Sequence, residues 1–144
     1  MKPVNVGLLG IGTVGGGTYE VLTRNQQEIT RRVGRPLAIT RVADLDLELA
    51  RRLTGPEVDV TSDASSVVSD PDIDIVIELI GVLEPARTFQ LEALKAGKPV
   101  VTANQAVMWH ALRLAGVAAA VDGLGVLFRQ AVAAPIARAS TAPS

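Results

Sequence analysis

Apolar residues fall along this chain in two alternating rhythms, short runs suited to strands and longer stretches at helical spacing. The first run starts at Val4 and breaks off in glycines at Gly10. Residues 18–33 then set Val21, Leu22, Ile29 and Val33 at helical intervals among arginines and glutamines, which predicts an amphipathic helix ending near Gly34, with Pro36 just beyond. Residues 36–44, PLAITRVAD, read as a strand closing on an acid, and 47–53 as a short helix stopped by Gly55-Pro56. Residues 58–61 suit a short edge strand, and 64–68 a helical turn capped by Asp63 or Ser62.

The run 73–80, IDIVIELI, is apolar on both faces apart from Asp74 and Glu78, as in a central strand covered by helices. Glu78 is the odd residue, and two readings stay open: a carboxylate reaching polar backbone or solvent at a strand end, or a catalytic acid. A loop over 81–84 leads to a helix with Pro85 in its first turn and Gly97 as its stop. Residues 98–103, KPVVTA, predict another strand. Thr102 or Asn104 caps a helical region reaching about Val121, and 125–128 form a last short strand. This alternation implies an α/β, Rossmann-like, doubly wound, mostly parallel sheet with helices on both faces. Right-handed crossovers should bring Gly10 to Gly15, Asp44, residues 80–83 and residues 102–105 to one crevice. The expected domain covers 1–132, and 133–144, with little to bury, is expected to be a disordered tail.

The glycine run gives the pattern its chemistry. Gly10-Ile11-Gly12-Thr13-Val14-Gly15 is a GxGxxG sequence placed between a strand and a helix. Gly10 permits a tight turn, Gly12 lets backbone approach a pyrophosphate, and Gly15 lets the helix pack on the sheet. The helix start offers unpaired N–H groups and the positive end of a dipole to phosphates. A structural turn is the plainer reading of any GxGxxG, and the setting favours the nucleotide. Gly16 and Gly17 weaken a helix start, for which close approach of neighbouring backbone is one compensation.

Composition narrows the rest. Fourteen basic and fifteen acidic residues leave a net charge of -1, so no basic field points to nucleic acid or to an anionic membrane. No cysteine is present, which removes disulfides, a thiolate nucleophile and a thiolate zinc site. A single histidine, His110, is expected to pack on a helix surface beside Trp109 rather than act as a base, and no metal is expected. No apolar run reaches spanning length, and the expectation is a soluble, cytoplasmic chain. Lys2, Lys95 and Lys98 are expected to be solvated.

Asp44 ends the second strand, where a carboxylate suits the ribose hydroxyls of NAD, although it lies further beyond Gly15 than the usual spacing of about 20 residues. Its alternative use is to cap the following turn. NADP needs a cation for its 2′-phosphate; Ala43 supplies none, while Arg41, Arg51 and Arg52 are close enough in sequence to leave NADP open.

With these motifs placed, the chain resembles the N-terminal nucleotide-binding part of homoserine dehydrogenase. The likeness lies in GLLGIGTVGGG at the start, ELIGVLEPAR from Glu78 to Arg87 and ALKAGKPVVTANQA from Ala93 to Ala106. It implies NAD or NADP as cofactor, and hydride transfer between homoserine and aspartate semialdehyde on the route to threonine, methionine and isoleucine. It also implies that Ile11, Gly12, Thr13 and Val14 meet the pyrophosphate, with Ile80, Gly81, Thr102, Ala103 and Asn104 around the cofactor.

The departures are Gln105, where the family typically has a lysine near the nicotinamide, Val82 in place of a glycine, and Arg129 in place of an acid. The paired glycines of the family's segment after Phe128 are also missing. The family's substrate and dimerisation domain is not found within these 144 residues, so the resemblance implies a cofactor-binding part that is inactive alone, with an amino-acid substrate only where a substrate domain is supplied. A second reading is a non-catalytic nucleotide-binding module that pairs with or regulates a full-length homologue, and a third is another two-domain dehydrogenase family. A strand left uncovered near Val126 would make homo-oligomers.

Overall fold

The computed structural model describes residues 2–117, in which five strands and six helices alternate. The strands are β1 (Val4–Leu9), β2 (Leu37–Ala43), β3 (Asp59–Thr61), β4 (Ile75–Glu78) and β5 (Val100–Thr102). The helices are α1 (Thr13–Arg24), α2 (Gln26–Val33), α3 (Leu47–Thr54), α4 (Ala64–Ser69), α5 (Leu83–Lys95) and α6 (Ala103–Leu114). The sheet has the order β3-β2-β1-β4-β5, with every pair parallel. The chain divides after Thr102: the sheet belongs to the first unit, and α6 opens the second. The expected boundary at 132, the strand over 125–128, the pairing site near Val126, the segment 128–135 with Arg129 and the tail at 133–144 lie outside the described residues.

Both faces of the sheet are apolar, which is why its strands read as nearly continuous hydrophobic runs. Successive side chains point to opposite faces. Leu8 and Val42 therefore join Ile11 and Ala50 in one buried cluster, while Leu9 and Ala43 join Val67, Val68, Ile73, Val76 and Ala93 in another. The first cluster carries Tyr19 of α1, and its hydroxyl donates to the Thr54 carbonyl at 2.8 Å, tying α1 to the end of α3. Against the second cluster lies Gly7 of β1. A Cβ there would come within 2.6 Å of Val67 Cγ1, so the missing side chain sets how closely α4 lies on the sheet.

Several elements differ from the sequence expectation. The first helix starts at Thr13 rather than 18, taking Gly15, Gly16 and Gly17 into its opening turns, and it breaks at Asn25 instead of running on to 33. Asn25 turns both its backbone N–H and its side-chain amide onto the Val21 carbonyl, at 3.0 and 2.9 Å, and its own carbonyl begins α2. Gly34, at φ 78°, ends that helix as expected. Helix α6 also ends early, at Leu114 and short of Val121, because Gly116 at φ 78° lets its N–H and that of Val117 turn back onto the Arg113 and Leu112 carbonyls.

Candidate functional site

Chain connections reverse direction about β1: the chain leaving β1 continues to β2 on one side, and the chain from β3 crosses to β4 on the other. Loops leaving the carboxyl ends of β1 and β4 therefore part, and parallel sheets open a crevice at such a switch point. Here it is a cavity of about 490 Å³ lined by residues that follow four strands, among them Gly10, Gly12, Asp44, Ser62, Ile80 and Gly81. Its lining includes the apolar Leu45 and Val82, both largely exposed, and, among the described residues, no lysine or arginine.

The glycines at the mouth serve distinct ends. Gly10, at φ 90°, occupies the left-handed region, and a Cβ would stand 2.9 Å from the Leu79 carbonyl oxygen. At Gly15 a Cβ would stand 2.0 Å from the Gly10 carbonyl oxygen, so the turn and the first helical turn close on each other only through this residue. At Gly12, the N-cap of α1, a Cβ would meet nothing of the described residues within 4 Å. The space over it stays open to a ligand. Thr13 and Val14 follow in the first turn of α1, where amides have no carbonyl of their own helix to bond and no side chain caps them. At Gly16 an added Cβ would touch Ile11 and Leu53 at 3.4 Å, and at Gly17 it would meet nothing, so close backbone approach does not account for Gly17.

Asp44 is held rather than free. One carboxylate oxygen accepts the Ile11 amide at 2.7 Å and the other accepts the Asp46 amide at 2.8 Å, so this side chain clamps the glycine loop to the turn after β2. The Ile11 N–H is thereby spent inside the protein, and its side chain is fully buried. Each oxygen of Asp44 keeps a second lone pair for a donor in the crevice.

Glu78 turns out to be buried, at 5% exposure, and both its oxygens are engaged. One accepts the Ile80 amide at 2.6 Å, and the other accepts the Gln90 side-chain amide at 2.7 Å. The carboxylate thus fixes the bend into Ile80-Gly81 from below, reaching backbone as one of the two sequence readings had it. Gln90, which that reading did not single out, is its partner from α5.

Thr102 ends β5 opposite Glu78 in the sheet register. Ala103, Asn104 and Gln105 open α6 in the second unit, with Asn104 exposed. In the same helix Arg113 lies over the Trp109 ring at 4.4 Å, and His110 is exposed.

At the sheet's opposite end a polar cluster secures the α4–β4 turn. Arg41 donates to Asp59 and Asp70 at 2.8 Å each and to the Ser66 carbonyl at 3.2 Å. Lys98, expected to be solvated, is half-buried instead and donates to the Asp70 carbonyl, because the turn before β5 folds it against that loop. Burial lowers its pKa, offset in part by Asp70 and Asp74. The Asp72 amide and Arg41 lower that of Asp70, although burial opposes them. Arg41 is raised, the two aspartates outweighing its burial. Among the described residues no group of three or more histidines or acids could hold a metal ion, and no helix is long and apolar enough to cross a membrane.

Comparison with known proteins points to homoserine dehydrogenases. Residues 10–124 match the family model described as "Homoserine dehydrogenase, NAD binding domain". A homoserine dehydrogenase of Methylobacillus glycogenes is 68% identical over 108 residues, covering 75% of this chain and 26% of that protein. One of Pseudomonas aeruginosa is 46% identical over 113 residues, covering 75% and 24%. Among solved structures, a homoserine dehydrogenase from Thiobacillus denitrificans superimposes with a TM-score of 0.68 at 51% identity, covering 78% of this chain and 26% of that one. The chain spans about a quarter of the length of the curated relatives it matches. With the family model covering most of the chain, this protein belongs to the homoserine dehydrogenase family, in its NAD-binding domain.

Proposed function

We propose that the crevice binds a nicotinamide dinucleotide and that the chain is the cofactor-binding part of a homoserine dehydrogenase, inactive without a substrate domain. The observation that carries this is the open space over Gly12, a glycine that no atom of the described residues requires. Pyrophosphate oxygens lying there would accept the amides of Gly12, Thr13 and Val14, at the positive end of the α1 dipole. Asp44 would take the adenosine ribose hydroxyls on its remaining lone pairs, with Ile11 supporting it through the Asp44 contact. Ile80 and Gly81, held by Glu78, would form the far wall. Thr102, Ala103, Asn104 and Gln105 would belong to the cofactor's neighbourhood on the family resemblance alone, since none of them lines the crevice.

When bound, the cofactor would accept or return a hydride at its nicotinamide, and homoserine is the substrate the family implies. The chain's own share is to bind and orient, and orientation without groups that position the substrate leaves the transition state largely unstabilised. Gln105 favours a second reading, a module that binds the dinucleotide without turning it over and pairs with a full-length homologue. A glutamine amide donates hydrogen bonds but cannot exchange a proton as an ammonium can. A cytoplasmic location goes with either reading.

Calorimetric titration of the chain with NAD and with NADP, repeated on Gly12→Val, tests the proposal. Saturable binding of either, lost in a variant whose melting curve is kept, supports it; binding of neither, or full binding by Gly12→Val, defeats it. Homoserine oxidation by the isolated chain would overturn the claim that it is inactive alone.

A further inference from the structure

We infer that this crevice selects NAD over NADP, through Asp44 clamped in place and Leu45 standing where a phosphate reader would have to be. The inference rests on the reading that the adenosine ribose lies at Asp44. NAD and NADP differ there alone, in a 2′-hydroxyl against a 2′-phosphate. A hydroxyl can donate to a carboxylate oxygen, whereas a phosphate carries about -1.5 to -2 charge at neutral pH and brings that charge against the acid.

An acid at this position excludes a phosphate only if it cannot swing away. Here both oxygens are engaged, by the Ile11 amide at 2.7 Å and the Asp46 amide at 2.8 Å, so rotating the side chain would break both bonds and release the glycine loop. The residue next in the chain is Leu45, 90% exposed at the crevice and without charge.

None of the cations that sequence proximity left open lines the crevice. Arg41 is spent on Asp59, Asp70 and the Ser66 carbonyl, and it sits well back in β2, paired with Gly7 and Asp59 across the sheet. Arg51 pairs with Glu48 on the exposed side of α3. Neither of these nor Arg52 lines the cavity.

The test is calorimetric titration of the full 144-residue chain with NAD and NADP, alongside Leu45→Arg, a substitution at so exposed a site that the fold is spared. The expected result is NAD bound at least about tenfold more tightly than NADP, the order expected for a charged phosphate beside a fixed carboxylate. In Leu45→Arg, NADP should gain about tenfold while NAD changes by less than about threefold. NADP bound as tightly as NAD by the unaltered chain would overturn the inference and leave the dinucleotide site standing. An unchanged ratio in Leu45→Arg would overturn the placement of Leu45 beside the 2′ position. Binding of neither nucleotide would remove the site and the selectivity together.

Discussion

Gly12 and Gly15 bracket the first turn of α1, and a side chain means opposite things at the two. At Gly15 a methyl group would lie 2.0 Å from the Gly10 carbonyl oxygen, which is backbone and has little room to yield. Gly15→Ala should therefore cost about 3 kcal/mol or more of stability, the upper end for overpacking, seen as a lower midpoint in urea denaturation. At Gly12 an added Cβ meets no atom of the described residues, so Gly12→Val should cost only on the order of 1 kcal/mol, through the poorer N-cap, while nucleotide binding is lost. A urea midpoint for Gly12→Val as low as that of Gly15→Ala would contradict this division between fold and ligand. The roles of Gly10 and Gly15 were legible in the GxGxxG spacing. The Asp44 bond to the Asp46 amide is the turn cap that the sequence left open, and Glu78 reaches backbone as one of its two readings had it. The Ile11–Asp44 and Gln90–Glu78 contacts were not legible, since partners 33 and 12 residues away leave no local trace.

Among the elements, strands were read more easily than helix ends. Strands β1, β2, β4 and β5 are short and largely apolar between turn residues, and all lie where the apolar runs do. Helix starts depend on contacts that propensity does not contain. Three glycines argue against a helix over 15–17, yet packing of Gly15 under Gly10 carries α1 back to Thr13. Asn25, not singled out within the long helix that the sequence predicts, competes for the Val21 carbonyl and splits that helix. Caps were partly visible: Asp63 was one of two candidates for α4, and it accepts the Ser66 amide at 3.2 Å. The cap of α3 is Asp46, which accepts the Leu49 amide at 2.9 Å. Asp46→Ala should lower stability by about 1 kcal/mol. It should leave the Asp44 contact in place, since that bond uses the Asp46 backbone N–H. Loss of nucleotide binding in this variant with the fold intact would count against the division of labour between the two aspartates.

For the whole molecule, the two ends of the sheet are unlike. The carboxyl end opens into the crevice, while the other gathers Arg41, Asp70 and Lys98 into a network that secures the α4–β4 turn. Because the Asp72 amide and Arg41 hold the Asp70 carboxyl below its ordinary value, the unfolded chain takes up that proton first as pH falls. The contribution of Asp70 is then complete above a pH of about 4 and is lost as pH drops through the lower folded value. Asp70→Asn should flatten the stability profile in that acid window, and an unchanged profile by thermal melts between pH 2 and 5 would sink the assignment. A parallel, doubly wound sheet and a crevice at its edge were expected from the strand and helix alternation alone, whereas this network was not, since Lys98 looked like any lysine at a strand start. The most direct test of the central claim, a dinucleotide seated at the carboxyl end of β1, β2 and β4, is amide NMR during titration with NAD. The account predicts shifts concentrated at Gly12, Thr13, Val14, Leu45, Ile80 and Gly81, with little change around Asp70 and Lys98. Saturable shifts elsewhere, with the glycine loop silent, would contradict it.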